Sequence, residues 1–180
     1  MISGPSGAGK GTLVTRVRER RSNLGLTVSA TTRAPRKGEV DGVNYFFLTR
    51  EEFDRRVANG EFVEWAEVHG NCYGTLVSEV TSKLASGSSL ILEIDVQGAL
   101  QVKERFPEAV LIFIKPPSLE VLRDRLVGRG TETPETIELR MANAAHELAL
   151  ADRYDDVVVN DDLDRATDEL VRVLDMHERI

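Results

Sequence analysis

Nine residues close to the start of the chain point most directly to chemistry: Gly4-Pro5-Ser6-Gly7-Ala8-Gly9-Lys10-Gly11-Thr12. The glycines let successive backbone N–H groups converge on an anion without interference from Cβ atoms. Lys10 adds a point charge for the outer phosphates of a nucleoside triphosphate. A ligand-free Gly-rich turn is the alternative, but the lysine and the amphipathic run that follows it favour a phosphate-binding loop that opens a helix.

The metal ligand of such a loop is left open by the sequence. The pattern has Ser or Thr directly after the lysine as a Mg²⁺ ligand, whereas here Gly11 stands before Thr12. Thr12 is therefore one candidate. Glu93 is a second, through water, because it lies two residues before Asp95 at the end of a predicted buried strand, although a structural role for Glu93 is an equal alternative.

Arg33 and Arg36 lie three residues apart around Pro35. Arginine side chains bind phosphate bidentately, so these residues indicate a second phosphate site, with a solvated basic loop as the alternative. Tyr45 and Tyr73 offer phenolic donors in the same part of the sequence, which favours the phosphate site.

Glu64 occupies the middle of a predicted strand, on the face shared by Phe62 and Ala66. An ionised carboxylate on an apolar strand face needs a hydrogen-bond donor. A structural arginine partner and a ligand with donor groups are both consistent with this position.

The elements that must position these residues alternate along the chain. Strand-like runs are predicted at residues 26–30, 90–94, 110–114 and 157–159, with helical patterns between them, and two further strand candidates at 45–48 and 62–68 lie outside this alternation. This alternation predicts an α/β fold with a parallel-sheet core flanked by helices. Capping signals predict helix boundaries at Thr49, Asn59-Gly60, Ser118 and Thr133-Pro134.

Two segments interrupt this pattern. Residues 31–82 look like a small α+β insertion, and residues 128–131 have the flanking glycines of a mobile flap. Only Met1-Ile2-Ser3 precede the phosphate loop, so either the first strand is short or the native start lies upstream.

Composition limits the functional classes. The chain has 180 residues, 41% of them hydrophobic, which is sufficient for a real core. Its net charge of −7 argues against a nucleic acid polymer or an anionic membrane as partner. The single cysteine, Cys72, fits a reducing compartment, and no apolar run is long enough for a membrane span, so a cytoplasmic protein is expected.

The chain resembles the guanylate kinases from Ser3 to beyond Asp162. Beyond the loop, the stretches that carry the resemblance are Ser29-Ala30-Thr31-Thr32-Arg33-Ala34-Pro35-Arg36, Phe62-Val63-Glu64-Trp65, Tyr73-Gly74-Thr75, Ile94-Asp95-Val96-Gln97-Gly98, Gly128-Arg129-Gly130-Thr131-Glu132-Thr133 and Val159-Asn160-Asp161-Asp162. The resemblance implies Mg²⁺-dependent phosphoryl transfer from ATP to GMP, and also to dGMP. It also implies a P-loop core (1–30, 83–124 and 143–180), a GMP-binding insertion (31–82) and a helical lid (125–142).

The same resemblance implies the site residues. Catalytic roles fall to Lys10, Arg125, Arg129 and Arg140. ATP binding falls to residues 4–12 and to Asn160, near the adenine. GMP binding falls to Ser29, Arg33, Arg36, Tyr45, Glu64, Tyr73, Thr75 and Asp95. Guanine presents N1–H and N2–H₂ donors on one edge, which a carboxylate at Glu64 can accept, whereas adenine presents a lone pair there.

The sequence is compatible with two alternatives, one non-catalytic and one enzymatic. The first is a guanylate-kinase-like binding module for phosphopeptides, which typically lacks an intact loop and the lid arginines that are present here. The second is another nucleoside monophosphate kinase, since Gly9-Lys10-Gly11-Thr12 also resembles the adenylate kinase loop; Glu64 and the arginine loop argue against it. The oligomeric state is not predicted.

Overall fold

The computed structural model describes residues 1–85, 87, 89–128, 130 and 133–178. Its strands are β1 (Ile2–Ser3), β2 (Leu24–Leu26), β3 (Ala30–Thr31), β4 (Phe46–Phe47), β5 (Phe62–Val68), β6 (Asn71–Leu76), β7 (Ser89–Ile91), β8 (Ile112–Lys115) and β9 (Asp156–Val159). Its helices are α1 (Lys10–Arg20), α2 (Arg50–Ala58), α3 (Val77–Leu84), α4 (Val96–Arg105), α5 (Leu119–Gly128), α6 (Pro134–Leu148) and α7 (Leu163–Glu178), and a 3₁₀ turn covers Ala151–Arg153.

The chain divides into two units. The terminal unit consists of Met1–Arg21 and Glu108–Ile180, and the central unit is the continuous segment Ser22–Pro107. In the terminal unit, β8 lies between β1 and β9, and both pairings are parallel. Ile112, Phe113 and Ile114 of β8 are fully buried, as expected for a central strand that is covered on both faces.

The central unit contains a parallel pair, β2 with β7, and a mixed sheet of four strands in the order β4-β3-β6-β5. The antiparallel pair β5 and β6 forms a hairpin with a register shift between Phe62 and Glu64. A buried cluster of Ala30, Phe53, Phe62, Cys72 and Leu76 fills the space under this sheet. The hairpin is therefore fixed to a core of its own, and it carries several of the predicted site residues.

The predicted α/β class is confirmed, and so are the capping signals. Thr49 Oγ1 accepts from Glu52 N at 3.1 Å, Ser118 Oγ from Val121 N at 3.2 Å, and Thr133 Oγ1 from Thr136 N at 3.3 Å. Asn59 is the C-cap of α2, as predicted.

The strand predicted at residues 26–30 is wrong as a single strand. β2 ends at Leu26, and β3 begins at Ala30 in a different sheet. Between them Val28 N donates to Glu79 Oε1 at 2.9 Å, whereas a continuous strand would place this amide in a ladder. A side chain thus takes over the backbone hydrogen bonding at the point where the chain leaves one sheet for the other.

The division into core, insertion and lid stays a prediction. Within the lid range, Arg129, Thr131 and Glu132 lie outside the described residues. Among the described helices, none is long and apolar enough to cross a membrane.

Candidate functional site

The glycine-rich segment forms a tight loop between β1 and α1. Gly4 and Gly9 have φ angles of 143° and 91°, which L side chains rarely adopt. A Cβ on Gly4 would lie 2.2 Å from Ile114 O, and one on Gly9 would lie 2.3 Å from Asn160 Nδ2. Neither position has room for a side chain, so glycine at both is a packing requirement of the loop.

Lys10 is the first residue of α1 and reaches back over the loop. Its Nζ donates to Gly4 O at 2.6 Å and to Pro5 O at 3.2 Å, so the ammonium lies against the loop backbone. The N-cap residue is Gly9, which has no side chain that could cap the helix. The first-turn amides of α1 and the Lys10 ammonium can therefore serve an anion.

Arg125 and Asn160 bind the glycine-rich loop at Ala8. Asn160 Nδ2 donates to Ala8 O at 2.8 Å, and Arg125 donates to Ala8 O at 3.4 Å and to Asn160 O at 2.8 Å. Asn160 is only 6% exposed. Its amide is thus committed to orienting the Ala8 peptide, a role that the sequence did not indicate.

Arg140 contacts the other side of the loop. Its Nη1 donates to Ser6 Oγ at 2.6 Å. Helices α5 and α6, which carry Arg125 and Arg140, pack through Leu122, Leu126 and Ala144, and Arg123 pairs with Glu138 at 2.7 Å. Of the three arginines predicted to be catalytic, Arg125 and Arg140 therefore lie at the loop. The third, Arg129, lies outside the described residues.

A cavity of about 330 Å³ adjoins the loop, lined by Gly7, Gly9, Thr12, Arg125, Asn160, Asp161 and Leu163. Thr12 is exposed and presents its hydroxyl at the start of α1. The described residues contain no group of three or more His, Cys, Asp or Glu that could hold a metal ion. The Thr12 hydroxyl, together with phosphate oxygens and water, suits Mg²⁺ as it is held in phosphate-loop sites.

In the central unit, Arg33 is held by a carboxylate and two aromatic rings. Its Nη1 and Nη2 donate to the two oxygens of Glu39 at 3.1 and 2.9 Å, and Glu39 Oε2 also accepts from Arg36 N at 2.7 Å. The guanidinium carbon lies 5.3 Å from the centre of the Tyr45 ring and 5.9 Å from that of Phe47. Hydrogen bonding to Arg33 lowers the pKa of Glu39, and hydrogen bonding to Glu39 raises the pKa of Arg33.

Tyr45 and Tyr73 lie beside Arg33. Their ring centres are 6.2 Å apart in an edge-to-face arrangement, and the Tyr73 hydroxyl contributes to the raised pKa of Arg33. Burial raises the pKa of Tyr45, with further contributions from Tyr73 and from the negative charge of Glu93. The central unit therefore brings together Arg33, Tyr45 and Tyr73, while Arg36 is exposed and contacts Glu39 through its backbone N–H.

Glu64 is the most deeply buried carboxylate of the candidate site, with 2% exposure. Its Oε1 accepts a hydrogen bond from Thr75 Oγ1 at 2.6 Å, across the β5–β6 pairing. Burial raises the pKa of Glu64 to about 7; Asp95 also raises it, while the Thr75 hydrogen bond lowers it. The donor partner is thus a hydroxyl, and no arginine pairs with Glu64 in the described hydrogen bonds and ion pairs.

The remaining predicted residues lie at the ends of neighbouring elements. Asp95 is the N-cap of α4 and accepts from Gln97 N at 2.8 Å and Gly98 N at 3.1 Å. Ser29 is partly buried just before β3, and its carbonyl accepts from Phe46 N at 2.9 Å. The Asp95 carboxylate thus has a structural function that is compatible with a ligand contact.

Sequence reasoning missed the partners of these residues. Glu39 ends the basic loop that was singled out for its arginines, and its spacing of six residues from Arg33 was the available signal. Gly98 stands within a quoted motif, but its close approach to Glu64 depends on the packing of α4 against β5, which no local pattern reveals.

On the sequence-based expectation that Arg33 binds the phosphate of an acceptor nucleotide, we expect the substitution Glu39→Gln to raise KM for that nucleotide about tenfold with little change in kcat. The loss of charge weakens the bidentate contact that fixes the Arg33 guanidinium, while the amide keeps the shape of the side chain. Steady-state kinetics and binding of the corresponding nucleoside, which has no phosphate, would check this, because nucleoside affinity is expected to stay unchanged. Glu51→Gln, an exposed site on α2, serves as the matched control.

A lower KM for this nucleotide in the Glu39→Gln variant than in wild type would contradict this expectation. It would mean that Glu39 competes with the phosphate for Arg33 instead of positioning it.

A parallel strand that leads into a glycine-rich anion-binding turn and then into a helix is the signature of the P-loop nucleotide-binding proteins, and this chain has that arrangement. The family model described as guanylate kinase matches residues 1–177. The chain belongs to the guanylate kinase family.

Individual comparisons agree with this assignment. The chain is 53% identical to the guanylate kinase of Halalkalibacterium halodurans over 174 residues, which cover 97% of this chain and 85% of that protein. It is 56% identical to the guanylate kinase of Gloeobacter violaceus, with the same coverage. The crystal structure of guanylate kinase from Anaplasma phagocytophilum superposes with a TM-score of 0.80 at 38% identity and covers 97% of this chain and 82% of that one.

Proposed function

We propose that the protein carries out the guanylate kinase reaction, phosphoryl transfer from ATP to GMP, with the loop of the terminal unit as donor site and the hairpin region of the central unit as acceptor site. The observation that carries this proposal is the buried Glu64 carboxylate, hydrogen-bonded by Thr75 in the same unit as the Arg33, Tyr45 and Tyr73 cluster. A guanine base and a phosphate need these two kinds of group.

On the donor side, the loop amides and Lys10 bind the outer phosphates of ATP, and Arg125 and Arg140 offset the charge that spreads over the γ-phosphoryl oxygens. Their hydrogen bonds to Ala8 and Ser6 support this role, because they hold both guanidiniums at the loop. Arg129 is proposed as the third cation. Asn160 would contribute to the nucleotide site by orienting the Ala8 peptide.

On the acceptor side, Glu64 accepts hydrogen bonds from guanine N1–H and N2–H₂, and Asp95, Ser29 and Thr75 complete the base site. The GMP phosphate falls to Arg33, Arg36, Tyr45 and Tyr73. No general base is proposed, because this phosphate is already an anionic nucleophile at neutral pH. The residues bind and orient the two phosphates and offset their mutual repulsion.

Mg²⁺ is the proposed cofactor. Thr12 would hold it directly, with Glu93 as a candidate contact through water. The ion would neutralise charge on the ATP phosphates when bound.

The acceptor test is a coupled assay of ADP release with ATP and a panel of monophosphates. GMP and dGMP are expected to be substrates, and AMP and UMP are expected to show kcat/KM values lower by about 10³-fold or more, because Glu64 would face an acceptor atom of the wrong base. A reaction without monophosphate measures background ATP hydrolysis. Comparable use of AMP would overturn the assignment of Glu64.

The cytoplasm is the proposed location, supported by the single cysteine, Cys72, which is buried in the core of the central unit. No nucleic acid polymer or membrane is proposed as a partner, in keeping with the net charge of −7.

A further inference from the structure

Three residues of α4, Gly98, Gln101 and Arg105, are spaced so that they share one face of the helix. We refer to them as the α4 face. All three approach β5 around Glu64, and each makes a different kind of contact there. Because β5 is the last strand of its sheet, its outer edge has backbone groups without a partner strand.

Arg105 contacts the irregular part of β5. The pairing of β5 with β6 shifts register between Phe62 and Glu64, so the residue between them, Val63, falls in a bulge. Arg105 Nη1 donates to Val63 O at 2.7 Å and approaches Phe62 O at 3.4 Å. The guanidinium thus fixes the backbone immediately before Glu64.

Gln101 fixes the backbone immediately after Glu64. Its Nε2 donates to Trp65 O at 2.9 Å, and its Oε1 accepts from Trp65 N at 3.4 Å. The side-chain amide therefore takes the place of a neighbouring strand for one residue of β5. Together with Arg105, it holds the peptide groups on both sides of the Glu64 α-carbon.

Gly98 contacts the carboxylate itself. A Cβ at this position would lie 2.3 Å from Glu64 Oε2 and 3.0 Å from its Cδ. The other oxygen, Oε1, is held by Thr75. The Glu64 carboxylate is therefore confined between a hydroxyl on β6 and the bare backbone of the first turn of α4.

We propose that the α4 face sets the position of the Glu64 carboxylate and thereby the selectivity for the guanine base, so that Gly98, Gln101 and Arg105 are positioning residues for substrate recognition. This inference rests on the proposed role of Glu64 in binding GMP. A displacement of about 1 Å is enough to cost a paired donor–acceptor contact much of its strength. Coverage of a free strand edge is the purely structural alternative, and it makes different predictions.

The substitution Arg105→Met tests the proposal with little change in the apolar stem of the side chain. We expect KM for GMP to rise about tenfold with kcat within twofold of wild type, since the base is bound equally in the ground and transition states. The ratio of kcat/KM between GMP and IMP is expected to fall, because IMP lacks the exocyclic amine that a well-placed carboxylate recognises. Glu104→Gln, an exposed neighbour on the same turn, is the matched control.

The substitution Gly98→Ala tests the contact with the carboxylate directly. Alanine has the higher helix propensity, so the helix itself is not weakened, but the added methyl group must displace Glu64 Oε2. We expect a rise in KM for GMP of about 100-fold and a loss of discrimination against IMP. Thermal melting of each variant shows whether the fold is retained.

A double-mutant cycle of Arg105→Met with Glu64→Gln distinguishes failure of the positioning role of the α4 face from failure of the proposed role of Glu64. If Arg105 acts through Glu64, its substitution adds little to the effect of Glu64→Gln on KM for GMP. Additive effects, or an equal loss for GMP and IMP in Arg105→Met, would overturn the positioning role and leave edge coverage as the function of the α4 face. A Glu64→Gln variant with wild-type KM for GMP would instead overturn the proposed role of Glu64.

Discussion

The substitution Lys10→Ala is expected to lower kcat by about 10³-fold or more, the largest effect of any single change in the terminal unit. The ammonium lies over the loop, bound to Gly4 O and Pro5 O, where the outer phosphates of a triphosphate would add their negative charge. Its removal takes away both the positive charge and two hydrogen bonds to the loop backbone. Rapid-quench or coupled assays with saturating ATP and GMP would measure the loss.

The control for this experiment is Arg16→Met, which removes a cation from the same helix. Arg16 pairs with Asp164 at 3.5 Å, and both side chains are largely exposed, so this pair contributes little to stability. We expect near-normal rates in Arg16→Met and an unchanged circular dichroism spectrum in both variants. Near-normal turnover in a folded Lys10→Ala protein would refute the assigned role of Lys10.

The second large effect is expected for Glu64→Gln. The amide keeps the volume and can still accept the Thr75 hydrogen bond, but it can also turn a donor towards the N1–H of guanine. We expect kcat/KM for GMP to fall by about 10³-fold, mainly through KM, with KM for ATP unchanged. Initial-rate measurements with each nucleotide varied in turn would separate the two constants.

The pH dependence provides a second measurement for the same residue. Burial raises the pKa of Glu64 to about 7, and the proposed contact with the donor edge of guanine needs the ionised carboxylate. KM for GMP is therefore expected to fall as the pH rises from about 5.5 and to level off above about 7, with proton release on binding at neutral pH. In Glu64→Gln the part of this dependence centred near pH 7 should disappear, which leaves only the slope from the second ionisation of the GMP phosphate near pH ~6. An unchanged profile would assign the dependence to another group.

The same pKa has a consequence for stability whose sign is fixed. The folded chain binds the Glu64 proton more tightly than the unfolded chain does. The stabilisation that results is therefore fully present at pH values below the ordinary pKa of a glutamate. It is lost as the pH rises through about 7. At pH 8 without nucleotide, Glu64→Gln should then be more stable than wild type by up to about 3 kcal/mol in free energy of unfolding, and it should melt at a higher temperature. Equal melting temperatures at pH 8 would contradict the raised pKa.

Local sequence signals predicted the parts of this protein that depend on neighbouring residues. The loop from Gly4 to Thr12 and the caps at Thr49, Ser118 and Thr133 were all readable, because a turn or a cap is formed by residues three or four positions apart. Strand limits were less accurate. At residues 26–30 the chain leaves one sheet for another, and the Val28 amide at that point is bound by Glu79, 51 residues away.

The candidate site was predictable in residue identity but not in pairing. Glu64 stood out as a carboxylate on an apolar face, yet its partner Thr75 follows from the register of a hairpin that contains a bulge. Asn160 could be identified by resemblance, but its bond to Ala8 joins residues 152 positions apart. Contacts of this kind depend on tertiary packing, which a single sequence does not display.

The boundary between the two units has an evolutionary consequence. All residues proposed for the base and phosphate of GMP lie in the one uninterrupted stretch Ser22–Pro107, whereas the loop, Lys10 and the described donor-side arginines lie outside it. Recombination at two points in the gene could therefore replace this stretch as one piece, joining a different acceptor site to the inherited phosphate loop, Lys10 and donor-side arginines, with Glu93 the one proposed metal contact that would be replaced with it.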